Sequence, residues 1–282
     1  MTLPQLALGT VQFGLAYGVA GRDAAVSEDE ARAILARAWE LGIRRLDTAP
    51  GYGDIEQRLS RLAGDRDFTI VSKIPGIPAG TDPADWVHRS CASSRARLGE
   101  RLSGLLFHVA TDLTGPDGAA AWAAARDHAP ALGPSCYDAD TLRAIAERFD
   151  VDMAQLPGSA LDQSVARLSP AAVEITLRSV FLQGLLLLPC DVATRRVPAA
   201  GDALRAFHRF ADECGLTPLV AALGIARGLP GVGYCVVGVD SLAQLEEVAA
   251  AWADAPRLRA PELDVAVPDV IDPRRWNKVA HA

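Results

Sequence analysis

Two hydrophobic periods alternate along the chain. Short apolar or β-branched runs recur between longer stretches whose apolar positions return every three or four residues. The runs are LALGT (6–10), IRRLD (43–47), TIVSK (69–73), GLLFHV (104–109), ALGPSC (131–136), DMAQL (152–156), EITLRSV (174–180) and GYCVVGV (233–239). The first helix-period stretch opens at Ser27, an N-cap with Glu30 three residues on as a capping box; it sets Ala33, Ile34, Ala38 and Leu41 on one face and stops at Gly42. Asp82 caps a second stretch that begins with Pro83. Helical patterns follow over 138–149, 201–214, 217–227 and 241–252, with weaker ones over 116–128 and 160–168. Eight strands, each followed by a helix-like segment, predict an α/β fold, a (β/α)8 TIM barrel, with a doubly wound open sheet as the structural alternative. Residues 1–282 read as a single barrel domain.

Such a barrel puts its chemistry at the C-terminal ends of the strands and in the loops after them. Asp47 closes the second run, Tyr52 lies in the Gly-flanked turn beyond it, Lys73 closes the third, and His108 stands near the end of the fourth. Each has an ordinary explanation alone: a strand-end Asp caps or turns, a Lys there is solvated, and a single His is a satisfied core group. Adjacent strands bring all four to one place, and that coincidence is the signal.

Composition narrows the partners. The net charge is −7 with no basic cluster, so neither nucleic acid nor a membrane surface is an expected partner and a small molecule is. Five scattered cysteines without a CxxC pair suit a reducing cytoplasm. No apolar stretch is long enough to span a bilayer, and the opening residues lack an export signal pattern. His88, His128, His208 and His281 have no metal-ligand spacing, so no metal is expected. The glycines of GLAYGVAG lack the spacing of a dinucleotide fingerprint.

LALGTVQFGLAYG, GIRRLDTAPGYGDIEQRLS, IVSK, LLFH, QLPGSALDQ, RSVFLQGLLLL and VVGVDSLAQL, in that order along nearly the whole chain, resemble the aldo-keto reductase family. The likeness is strongest to a bacterial branch with the RSVFLQGLL signature, found in sugar and surface-glycan gene neighbourhoods. The resemblance implies NAD(P)H-dependent carbonyl reduction, with Asp47, Tyr52, Lys73 and His108 on the positions of the catalytic tetrad. NADPH is the expected cofactor and NADH the alternative. Ser135 and Gln155 fall where the family holds the nicotinamide carboxamide, with Cys136 where many members have Asn. Arg178 falls where many stack a tyrosine on the nicotinamide. Gly238, Ser241, Gln244 and Glu247 fall in the segment that grips the adenosine end. Ser241 reads equally well as the N-cap of the last helix.

The implied chemistry gives Asp47 and Tyr52 their reason. Carbonyl reduction needs a hydride at carbon and a proton at oxygen, and a phenol of ordinary pKa about 10 releases that proton reluctantly at neutral pH. Lys73, held by Asp47, is expected to lower the Tyr52 pKa, and His108 to polarise the carbonyl. The expected function is reduction of an aldehyde or keto group on a small, sugar-like substrate. The alternatives are the reverse reaction, an NAD(P)-dependent aldose or sugar dehydrogenase, and a non-catalytic cofactor sensor on the same fold. The chain departs from the family around 120–134 and 160–175, where segments are short, and carries Gly158 and Ser159 in place of an aromatic and an asparagine.

Overall fold

The computed structural model describes residues 3–21, 23–168, 173–265 and 267–276; His281 lies outside them. All eight expected strands form within two residues of their expected bounds: β1 Gln5–Gly9, β2 Arg45–Asp47, β3 Thr69–Ile74, β4 Leu102–Phe107, β5 Ala131–Pro134, β6 Met153–Pro157, β7 Glu174–Arg178 and β8 Val232–Gly238. They form one sheet in the order β5-β4-β3-β2-β1-β8-β7-β6, with every pairing parallel. A parallel bridge between Ser135 and Gln155, with Cys136 N donating to Gln155 O at 2.8 Å, joins the two outer strands and nearly closes the (β/α)8 barrel. Leu8, Leu46, Ile70, Leu105, Leu156 and Val237 pack against the helices in the main core, while Val71, Leu106 and Met153 form a separate small cluster.

The helices follow their caps. Asp82 accepts from Asp85 N at 2.8 Å and starts Pro83–Leu98, and Asp138 accepts from Thr141 N at 2.7 Å and starts Ala139–Ala146. Ser27 Oγ accepts from Glu30 N at 3.3 Å, but Glu30 does not reach back to complete the box. Its carboxylate accepts from Leu242 N at 2.7 Å, tying the start of the first barrel helix, Glu28–Glu40, to the start of the last, Leu242–Asp254. The buried face of that first helix is Ala31, Ile34, Leu35 and Ala38; Leu41 lies past its end and is exposed. Over 116–128 the weak pattern becomes Gly118–Arg126, anchored by Trp122, whose ring stacks between Phe107 and Phe149.

The weak pattern over 160–168 does not become an α-helix. Its described residues hold one 3-10 turn, Ser164–Arg167, after Ser159 Oγ accepts from both Leu161 N and Asp162 N at 3.2 Å. The chain's C-terminal part covers the gap: Gln163 Nε2 donates to Ala260 O at 2.6 Å, Val265 N to Leu161 O at 3.2 Å, and Arg167 pairs with Asp264 at 2.8 Å. Gly158 is small for a reason here, since a Cβ would sit 2.6 Å from Leu177 Cδ2. Among the described residues no helix is long and apolar enough to cross a membrane.

Candidate active site

Asp47 is the last residue of β2, Lys73 the last but one of β3, and His108 the first beyond β4. Lys73 Nζ donates to Asp47 Oδ1 at 2.7 Å and to Thr48 O at 2.9 Å. The other carboxylate oxygen, Asp47 Oδ2, accepts from Gln155 Nε2 at 2.7 Å, across the barrel from β6. The Lys73 side chain is buried, 1% exposed, so its charge is tolerable only because a carboxylate and a carbonyl replace its water. Burial pulls its pKa down, but Asp47 and Tyr52 outweigh that and hold it above the ordinary lysine value.

Tyr52 meets this pair from the turn after β2. Lys73 Nζ lies 5.1 Å from its ring centroid, and the His108 ring stands edge-on at 6.3 Å. The turn's path depends on two glycines: a Cβ on Gly14 would fall 1.8 Å from Tyr52 O, and one on Gly53, at φ +70°, would fall 2.8 Å from Gly14 O. The Tyr52 pKa is raised rather than lowered. Burial is the largest cause; the Lys73 charge and hydrogen bond pull the other way, and Asp47 cancels part of that pull. The expectation of a lowered value thus fails because withdrawal of water from the phenolate outweighs the ammonium. His108 stands exposed at the rim, and the water displaced by the protein around it, with the Lys73 and Arg178 charges and against Asp47, pushes it down to about 4. Its imidazole is neutral at pH 7.

A cavity of about 520 Å³ starts at Asp47, Tyr52 and Gln155 and runs past Gln12 to Gly238, Gln244 and Glu247 on the β8 side. Its volume is in the range of small-molecule and cofactor sites. Arg178 lines it as well. Ser135 and Ser241 do not: Ser135 is buried, with its hydroxyl on Gln155 Oε1 at 3.4 Å, and Ser241 caps the last helix by accepting from Gln244 N at 3.2 Å. Gln244 Oε1 accepts from Asp240 N at 2.8 Å, which stiffens the same corner.

Gln12, Tyr17 and Gln183 also line the cavity and were missed from the sequence. Gln12 Oε1 is buried with no hydrogen-bond partner, and the Gln12 amide packs so closely on Gly238 that a Cβ there would lie 2.3 Å from Nε2. A glutamine three residues past the end of β1, in LGTVQ, is the available signal. Gln183 belongs to a strained stretch in which Ser179, Leu182 and Gln183 take φ of 60°, 48° and 55°. Such conformations persist only where the surroundings impose them. Here Gln183 Nε2 donates to Tyr17 Oη at 3.3 Å and Ala20 N to Gln183 O at 3.4 Å, so the loops after β1 and β7 meet beside the cavity. An unsatisfied buried acceptor, glycine-lined walls and neutral donors suit a ligand with amide, hydroxyl and phosphate groups; the residues present fit a nicotinamide dinucleotide.

A model of the Aldo/keto reductase family matches residues 5–260. Over 230 residues the chain is 30% identical to a D-threo-aldose 1-dehydrogenase from a Pseudomonas species, covering 66% of this chain and 68% of that protein. A Pseudomonas aeruginosa structure assigned to the aldo-keto reductases is 25% identical, with a TM-score of 0.66, covering 90% of this chain and 92% of that one. The holo form of a Bacillus halodurans aldo-keto reductase, 19% identical, shares the fold at a TM-score of 0.72, covering 98% and 96%.

Proposed function

The chain belongs to the aldo/keto reductase family and is an NAD(P)-dependent oxidoreductase, and from that premise we propose that it reduces the aldehyde or keto group of a small, sugar-like molecule, with Tyr52 as proton donor. The observation that carries this reading is the buried Lys73–Asp47 pair, 2.7 Å apart, with Tyr52 beside it and both Asp47 and Tyr52 lining the open cavity.

When bound, the reduced nicotinamide supplies the hydride. Tyr52, its pKa above the ordinary phenol value, keeps its proton at pH 7 and holds it where the carbonyl oxygen arrives. Lys73 stabilises the charge left on the phenol oxygen, and Asp47 keeps Lys73 charged and in place. Neutral His108 donates an N–H to the same carbonyl oxygen, stabilising its developing charge. For the cofactor, which we take to be NADPH, Gln155 faces the nicotinamide end, with Ser135 holding it. Gly238, Gln244 and Glu247 face the adenosine end, where Ser241 supports Gln244 through the helix cap.

The family generally uses NAD(P)H, and likeness to an aldose dehydrogenase favours one second reading, the same chemistry run as sugar oxidation. Absorbance of NADPH, followed with a panel of aldehydes and keto sugars, and of NADP+ with a panel of aldoses, decides direction. Wild type should turn over in at least one panel, and Tyr52→Phe should lose at least about a hundredfold while still binding cofactor. Full turnover in Tyr52→Phe rejects the mechanism; tight cofactor binding without turnover in either panel favours a sensor.

A further inference from the structure

Arg178 ends β7, is half-buried and lines the cavity. Its guanidinium is drawn aside onto the Tyr137 ring, 4.3 Å from the centroid, and Arg274 covers that ring at 3.3 Å. Its hydrogen bonds go to uncharged groups, to Cys136 O at 3.2 Å and Ser179 Oγ at 3.4 Å, and no ion pair among the described residues includes it. A guanidinium has five N–H donors, so most of its capacity is unspent.

The neighbouring carboxylates are already committed. Asp47 serves Lys73 and Gln155, Asp138 caps its helix at Thr141, and Asp272 takes hydrogen bonds from Arg274 Nε and a terminal nitrogen. Arg178 lines the same cavity as Asp47 and Tyr52, and its charge acts on both Tyr52 and His108. A cation held in a partly dry wall, fixed by a ring and a carbonyl and making no ion pair of its own among the described residues, matches an anion brought by a ligand. The flat fork favours a carboxylate taken bidentately.

We propose that Arg178 binds an anionic group of the substrate, and that the preferred carbonyl compound carries a carboxylate within a few bonds of the carbonyl. The proposal rests on the reductase reading above. The other source of such an anion is the cofactor's diphosphate. The geometry favours the substrate, because Arg178 is held toward Cys136, just past β5 and hydrogen-bonded to Gln155, whereas Gly238 and Gln244 stand at and beyond the end of β8.

Pairs of substrates differing in charge test it: glyoxylate against glycolaldehyde, and succinic semialdehyde against butanal, each with NADPH. Wild type should favour the anionic member of at least one pair by about tenfold or more in kcat/KM. That ratio should collapse toward one in Arg178→Met and recover in part in Arg178→Lys. A wild-type ratio at or below one in both pairs, or a ratio that Arg178→Met does not move, overturns the proposal. A rise of about tenfold in the NADPH Kd of Arg178→Met with the ratio intact assigns Arg178 to the cofactor's phosphates and also overturns it. Calorimetric binding of succinic semialdehyde and butanal to the Tyr52→Phe protein loaded with NADPH needs no turnover, so it separates failure of this proposal from failure of the reductase reading. The anion should bind at least about tenfold tighter there. Equal binding, or none of either, removes the case for Arg178.

Discussion

Gln155 donates to one oxygen of Asp47 at 2.7 Å while Lys73 donates to the other at 2.7 Å, so a single carboxylate joins β6 to β3 through the middle of the barrel mouth. Both partners are donors. Asp47→Asn therefore does more than remove a charge: the amide can offer its oxygen to only one of them and must turn its own N–H groups on the other. With the Lys73 ammonium buried and its counter-charge gone, the substitution should destabilise the fold by about 3 kcal/mol or more. Urea denaturation at pH 7 measures this; a loss below about 0.5 kcal/mol would mean the pair is solvated in solution.

Lys73→Met addresses the phenol. Burial already holds the Tyr52 pKa above its ordinary value, and Lys73 is the strongest opposing influence, so removing the ammonium should raise it further. In the oxidation direction, where the deprotonated phenol accepts a proton, the pH profile should move to higher pH and the rate should fall by about a hundredfold or more. An unshifted profile at reduced amplitude would show that Lys73 merely positions Tyr52.

Much of this was legible from periodicity and position. Asp47, Lys73 and His108 could be placed at a common rim because short strands in an eight-fold repeat leave little freedom of register. Gln155 could be placed at a strand end, but not its bond to Asp47, since that contact spans 108 residues and depends on β6 curving round to β5. The segment 160–168 reads as weakly helical because local apolar spacing carries no information about the C-terminal residues that take the helix's place. Leu41 falls on the apolar face only if the helical period runs one residue past Glu40, where the helix ends and Leu41 is exposed. The raised Tyr52 pKa was invisible because sequence reveals the charged neighbours of a phenol but not how much water it loses.

His108 gives a pH prediction with an unambiguous sign. Its pKa is pushed from 6.5 to about 4, so the native protein keeps it neutral where the unfolded chain would take up a proton. On account of this group, stability should fall as pH drops from about 6.5 toward 4, with no effect above that range. The imidazole resonances of His108, identified by comparison with His108→Gln, should show no titration above about pH 5. Titration near the ordinary histidine value would mean the ring is fully hydrated and unsuited to act as a neutral donor at lower pH.

The final prediction concerns the dinucleotide. Asp240, Gln244 and Glu247 line the far end of the cavity, and among the described residues lining it Arg178, at the other end, is the only Lys or Arg. A 2′-phosphate bound near Asp240 would meet the carboxylates of Asp240 and Glu247. An unphosphorylated ribose could instead donate its 2′-hydroxyl to Asp240, as acidic residues accept in NAD sites on other folds. Against this, the Gln244 side-chain amide has N–H groups for a phosphate and the start of Leu242–Asp254 favours negative charge, with Leu242 N and Gln244 N already donated to Glu30 and Ser241. The two tendencies oppose each other, so wild type should prefer NADPH by no more than about tenfold, or about 1.4 kcal/mol. Asp240→Arg replaces the repelling charge with a phosphate ligand and should raise that preference by at least about tenfold. Kd values for NADPH and NADH from fluorescence quenching of both proteins decide it: a hundredfold wild-type preference, or no gain from the arginine, would place the 2′-phosphate away from Asp240.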